Sequence, residues 1–332
     1  MRSSRRRFIQ TTAAALGAMP LSSLLTAQGE SWKMNYRPFG TTGLQVSEVS
    51  LGGHFDGPGW EDKDARSQDL RNAVIDRAIE RGINFFDTNY DYEREQLGIA
   101  LEGKRDKIIL ASDVNNREGV NKKATRETIR RRIDEHLKML RTDRIDIFRL
   151  MAGVEHPTDP QMEGVLEAFG EMKDEGLASF LALSIHDPTV LAENLRKWGS
   201  EIDLCYCPFS YVTPRLADEL LPTAAELGVG VICIKPFAKG TLFQLPEDDP
   251  RMEGIDPGNI SLARANLKWI LSHEAVSTVI PGMELPSEVD DNVLASGAGG
   301  PTAEETALLE RVSPIVRHSL PEHYAWLRRW HV

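Results

Sequence analysis

The sequence predicts an α/β chain folded as a single (β/α)8 TIM barrel, preceded by an N-terminal hairpin and followed by a C-terminal helical tail. Three observations predict it. Short apolar, strand-like runs alternate with segments of helical period, eight of each over about 250 residues. No Pro- or Gly-rich linker interrupts the alternation. No glycine-rich phosphate loop follows an early strand, as a doubly wound open sheet would require.

The elements follow in order. Met34 to Gly53 alternates polar and apolar residues around Gly40 and Gly43, which reads as a hairpin leading into a strand at Val46–Gly53. Leu70 to Arg81 has apolar residues at 70, 74, 75, 78 and 79, one helical face, and Gly82 stops it. Ile83–Asp87 is a short strand, Gln96–Leu101 a helix and Lys107–Ala111 a strand. Ala124–Leu140 is a long helix with apolar residues at 129, 133, 137 and 140. Strands follow at Ile145–Leu150, Phe180–Ser184, 202–207, 229–235 and 276–280. Helices separate them at Met162–Met172, 188–198, 215–227 and 260–272, with another at 286–296. Residues 302–332 add a helix and an aromatic tail expected to pack on the barrel.

The 332 residues are 41% hydrophobic and 27% charged, a globular balance that excludes disordered and coiled-coil classes. Asp and Glu number 50 against 39 Lys and Arg. Four arginines lie in residues 1–27, so the remainder carries a formal charge of −15. That charge opposes binding to nucleic acid or to an anionic membrane surface. Three cysteines, none clustered, exclude a disulfide scaffold and a four-thiolate metal site. Cys205 and Cys207, two apart on one strand, and Cys233 read as small buried hydrophobes. No metal is expected.

Residues 1–30 read as an address, and 31–332 as the barrel. Ser4-Arg-Arg-Arg-Phe-Ile-Gln10 precedes an uncharged stretch from Thr11 to Gly29. This resembles a twin-arginine export signal. The resemblance implies the twin-arginine translocation machinery as a partner and a periplasmic or extracytoplasmic destination. The Ala-, Ser- and Thr-rich stretch is too polar for stable membrane insertion.

Tyr36-Arg-Pro-Phe-Gly-Thr-Thr-Gly-Leu-Gln-Val-Ser-Glu-Val-Ser-Leu-Gly-Gly53 and Gly82-Ile-Asn-Phe-Phe-Asp-Thr-Asn-Tyr-Asp-Tyr92 resemble the opening segments of the aldo-keto reductase family. Gly230-Val-Ile-Cys-Ile-Lys-Pro-Phe-Ala-Lys-Gly240 and Val276-Ser-Thr-Val-Ile-Pro-Gly-Met283 resemble its seventh- and eighth-strand segments. The resemblance implies a barrel that binds NADPH or NADH and reduces a carbonyl with an Asp, Tyr, Lys and His set. Asp87 and Tyr92 match the first two members, whereas Asp113 stands at the Lys position and Met151 at the His position. His156, six residues after Leu150, is the histidine that could reach back.

A neighbouring cation lowers a tyrosine pKa and an anion raises it, so Asp113 removes the expected activation of Tyr92. Two carboxylates at one site suggest a shared proton, suited to acid/base work or to a cation. His54 and His186 follow the first and fifth strands and join Asp87, Tyr92 and Asp113 as catalytic candidates. For the cofactor, the resemblance implies Ser184 on the nicotinamide amide and Phe209 beneath the ring. Lys235, Pro236, Lys239 and Gly240 would form a pyrophosphate strap, with Gly282, Met283 and Asn292 at the adenosine end. Glu288 replaces the Arg that grips a 2′-phosphate, which tilts the expectation toward NADH. Three readings stay open: an exported reductase with an altered acid/base set acting on a small carbonyl or sugar-like substrate, a non-redox lyase or isomerase using the Asp pair, and a non-catalytic binding protein.

Overall fold

Hydrogen bonding between successive strands explains the architecture seen in a computed structural model, which describes residues 32–53, 65–114, 125–153, 156–245, 250 and 260–320. The chain opens with an antiparallel hairpin, β1 (Tyr36–Pro38) and β2 (Gln45–Ser47), pairing Arg37 with Val46. Gly40 turns it at φ +57°, and a β-carbon there would lie 2.5 Å from the Gly230 nitrogen. Only glycine fits that approach.

Seven parallel strands follow in sequence order: β3 (Phe85–Thr88), β4 (Ile109–Val114), β5 (Ile147–Gly153), β6 (Phe180–Ile185), β7 (Leu204–Pro208), β8 (Gly230–Ile234) and β9 (Val276–Val279). The eighth position is filled by the residues just after the hairpin. Val49 bridges Val279 and Leu51 bridges Phe86, both in parallel, so this segment joins β9 to β3 and closes the barrel. The expected strand at Val46–Gly53 is therefore shared between the hairpin and the closure.

The helices are α1 (Ala65–Glu80), α2 (Asp91–Ala100), α3 (Arg126–Leu140), α4 (Asp159–Asp174), α5 (Pro188–Trp198), α6 (Leu216–Glu219), α7 (Leu221–Leu227), α8 (Leu262–Leu271), α9 (Pro286–Val293) and α10 (Ala303–Ser319). Thr125 caps α3 by accepting from the Thr128 amide, and Asp187 caps α5 by accepting from Thr189 and Val190. Three expected helices differ, α1 by starting at Ala65 rather than Leu70. α2 begins at Asp91 rather than Gln96, because Glu93 reaches back to the amides of Asn89 and Tyr90 and fixes the first turn. The single helix expected over 215–227 is two, with Pro222 in the first turn of α7 and a break at Leu220. Among the described residues no helix is long and apolar enough to cross a membrane. The export signal and the aromatic tail at 322–331 lie outside the described residues.

Candidate active site

Strand alternation selects the side chains that meet inside the barrel. Phe85, Ala111, Ile147, Ala182 and Leu204 belong to its apolar interior cluster. Two residues further along the same strands stand Asp87, Asp113, Arg149, Ser184 and Tyr206, so all five project inward at the C-terminal rim. That rim carries the chemistry in barrels of this kind.

The geometry corrects the expectation of a carboxylate dyad. Arg149, 2% exposed, stands between the two acids. Its Nη1 lies 3.2 Å from Asp87 Oδ2 and its Nη2 3.4 Å from Asp113 Oδ2. It also donates to the Asn89 side chain and, at 3.3 Å, to the Thr88 carbonyl. A second buried guanidinium, Arg94 on α2, lies 2.6 Å from Asp113 Oδ1 and donates to the Asp113 carbonyl at 2.9 Å and Ser112 Oγ at 3.0 Å. Two cations thus hold Asp113, and like-charge repulsion is not the governing interaction. The Arg149 guanidinium covers the Tyr206 ring at 4.5 Å, and the Tyr206 hydroxyl donates to Asp87 Oδ1 at 3.3 Å.

Electrostatics follow from this arrangement. Burial raises the Asp87 pKa to about 6, with Glu93 adding to the rise and Arg149 and the Tyr206 hydrogen bond opposing it. Burial alone would lower Arg149, but the carboxylates of Asp87 and Asp113 outweigh it and hold the guanidinium charged. Burial and Asp87 push the Tyr206 phenol upward, so it stays neutral.

Tyr92 lies in the first turn of α2. Its hydroxyl lies 3.3 Å from Glu93 Oε1, and its ring stacks on Tyr90 at 5.7 Å. Arg71, buried on α1, is coupled electrostatically to both Glu93 and Tyr92; burial lowers its pKa to about 10, still cationic at neutral pH. Arg71 is thus a cation coupled to Tyr92 from a helix rather than a strand, and it acts against the Glu93 carboxylate that the hydroxyl meets.

The other candidates sort as follows. His186 Nε2 lies 3.1 Å from Lys235 Nζ across the rim. His54 lies outside the described residues. His156 does not reach back; it sits beside Asn194 at 3.0 Å and Glu193 at 3.3 Å on α5. Ser184 Oγ is buried with no hydrogen-bond partner among the described residues. Phe209 does not offer a face to a nicotinamide ring: it is 0% exposed, packed against Trp269 at 4.9 Å and His273 at 5.0 Å. Met283 is likewise turned into the core, whereas Gly282 beside it is exposed and Asn292 is buried on α9. Pro236 is tied down by its carbonyl, which accepts from Asn266 at 2.7 Å. Lys239 and Gly240 occupy left-handed backbone at φ 60° and 82°. All three cysteines are free and buried. No cluster of three or more His, Cys, Asp or Glu suited to a metal exists among the described residues.

Arg149, Arg94 and Arg71 were not legible as site residues from motif matching. A signal for Arg149 existed: Ile145, Ile147 and Arg149 share one strand face, so a core-facing arginine demanded inward carboxylates.

Comparison with known proteins identifies the family. An uncharacterized oxidoreductase, YqkF, of Bacillus subtilis is 30% identical over 308 residues, covering 83% of this chain and 96% of that protein. L-galactose dehydrogenase of Arabidopsis thaliana is 28% identical over 291 residues, covering 79% and 88%. Among solved structures, the holo form of aldo-keto reductase AKR11C1 from Bacillus halodurans superposes with a TM-score of 0.68 at 28% identity, covering 88% of this chain and 99% of that one. With the Aldo/keto reductase family model matching residues 49–313, from the closing strand segment into the last helix, this chain belongs to the aldo/keto reductase family.

Proposed function

We propose that this protein is an exported nicotinamide-dependent oxidoreductase that reduces a small carbonyl or sugar-like substrate with an acid/base set of its own. The observation that carries the reading is the buried Asp87–Arg149–Asp113–Arg94 chain of charges at the catalytic rim, with Tyr92 two residues before Arg94 on α2. The relationship to a sugar dehydrogenase supports the substrate class. The orphaned Ser184 hydroxyl fits a nicotinamide carboxamide, which would satisfy it. When bound, the dinucleotide supplies hydride to the carbonyl carbon.

Tyr92 donates the proton to the carbonyl oxygen in this reading, and Arg71 favours the resulting phenolate. Arg149 and Arg94 offset the Asp87 and Asp113 carboxylates, so the negative charge of these two acids is compensated where oxygen charge develops. Lys235, Pro236, Lys239 and Gly240 hold the pyrophosphate, with Gly282 and Asn292 at the adenosine end. NADH is favoured over NADPH because Glu288 keeps a carboxylate at the start of α9, accepting from the Glu284 amide at 2.6 Å and the Leu285 amide at 3.2 Å. The paired arginines at residues 5 and 6 direct the folded protein through the twin-arginine machinery to the periplasm.

Steady-state reduction of small aldehydes and aldoses with NADH tests the reading. Tyr92→Phe should lower kcat by about 10²–10⁴-fold, the range for loss of a general acid, with nucleotide affinity unchanged. Full activity in Tyr92→Phe would remove tyrosine from the mechanism.

A further inference from the structure

We infer that Lys235, with His186 as its proton carrier, is a carbonyl-capturing amine that forms an imine with small aldehydes at the barrel rim. This goes beyond carbonyl reduction and requires no nucleotide. Three observations carry it.

The first is placement. Lys235 directly follows β8 and His186 directly follows β6, and the two side chains meet at 3.1 Å while both keep partial exposure. An amine in contact with an imidazole can lose and regain protons during addition to a carbonyl.

The second is the backbone. Four non-glycine residues of the described chain have left-handed φ, and three of them, Lys235, Ala238 and Lys239, fall in this one loop. Such conformations cost on the order of 1–3 kcal/mol each and persist where a site requires the side chain aimed. The loop is held by the Pro236 carbonyl bonded to Asn266.

The third is electrostatic. The groups acting on Lys235 include Lys239, Arg149, Cys207 and Asp87, together with His186 at hydrogen-bond distance. Desolvation first, then the cations Lys239 and Arg149, lower its pKa to about 7, against the weaker opposing pull of Cys207 and Asp87. A desolvated lysine beside other cations is the recognised setting of a nucleophilic amine.

The chemistry balances without a redox partner. The neutral Lys235 nitrogen attacks the aldehyde carbon, the C–N bond forms, and the carbonyl π pair moves to oxygen. His186 removes a proton from nitrogen and returns it to oxygen, giving the carbinolamine. The C–O bond then breaks as that oxygen takes a second proton, delivered from solvent through His186. Water leaves and the nitrogen lone pair closes the protonated imine.

Reductive trapping tests this on the full-length native protein without nucleotide. The protein is incubated with propanal and sodium cyanoborohydride from pH 6 to 9, and the alkylated lysines are located by peptide mass spectrometry. At pH 7 an ordinary lysine is neutral in only about one molecule in 2,500, whereas Lys235 is neutral in about half. Lys235 should therefore be labelled about a hundredfold faster than the exposed Lys107 and Lys138, with a rate that levels off above about pH 7. His186→Ala should slow Lys235 labelling at least about tenfold and leave Lys107 and Lys138 unchanged. Labelling of Lys235 no faster than the two exposed lysines would overturn the inference, as would a His186→Ala rate equal to the native one. Because no nucleotide is present, either failure would leave the reductase reading standing.

Discussion

Replacing Arg149 with methionine is the most direct perturbation of the site, because one guanidinium serves two buried carboxylates. Methionine retains much of the length and apolar volume but no charge. Asp113 keeps Arg94 at 2.6 Å. Asp87, 3% exposed, loses its ion pair and retains the Tyr206 hydroxyl at 3.3 Å. Removing one partner of a buried pair costs about 3–5 kcal/mol. For a chain of this length that is a fall of about 5–8 °C in Tm at pH 7.5.

The pH dependence is the sharper signature. A carboxyl whose folded pKa exceeds its unfolded value binds extra protons when folded, so stability falls as pH rises between the two values. For native Asp87 that fall runs from about pH 4 and ends near pH 6. In Arg149→Met the Asp87 pKa rises further, and the fall continues past pH 7. The stability gap between native and variant should then widen between pH 6 and 8, by at most about 1.4 kcal/mol per unit. Thermal melts followed by circular dichroism at pH 5, 6, 7 and 8 measure it. A variant melting within about a degree of native at every pH would refute the central role assigned to Arg149.

Asp113→Asn should also destabilise, by about 1.5–3 kcal/mol in urea titrations at neutral pH, because it takes a carboxylate from both Arg94 and Arg149, which keep Asp91 and Asp87. That sign is opposite to the one expected if Asp87 and Asp113 were a carboxylate pair sharing a proton. Changing Arg5 and Arg6 to lysine should leave the protein in the cytoplasm, checked by fractionation and immunoblotting; an unchanged periplasmic yield would show that the pair is not read. Calorimetry should find NADH bound more tightly than NADPH in the native protein, and Glu288→Gln, which keeps an acceptor for the capped amides, should shift the ratio toward NADPH by about tenfold. NADPH binding tenfold tighter than NADH in the native protein would contradict the charge argument.

Periodicity in the sequence by itself determined the barrel. The alternation of strand and helix patterns depends on nearest neighbours along the chain, and burial of one face per element leaves few ways to assemble eight of them. Local signals also fixed the hairpin at Gly40 and placed Asp87, Asp113 and His186 at strand ends. Only tertiary structure decided which charges meet. Arg149 lies on the strand after that of Asp113, but its second carboxylate, Asp87, is two strands away; Arg94 and Arg71 arrive from helices, and Lys235 reaches His186 past the intervening β7. A motif match at positions 113 and 151 records only the loss of a lysine and a histidine. It cannot record a cation supplied from elsewhere, because electrostatic free energy depends on distance and burial in space, and residues tens of positions apart satisfy it only once the barrel has closed.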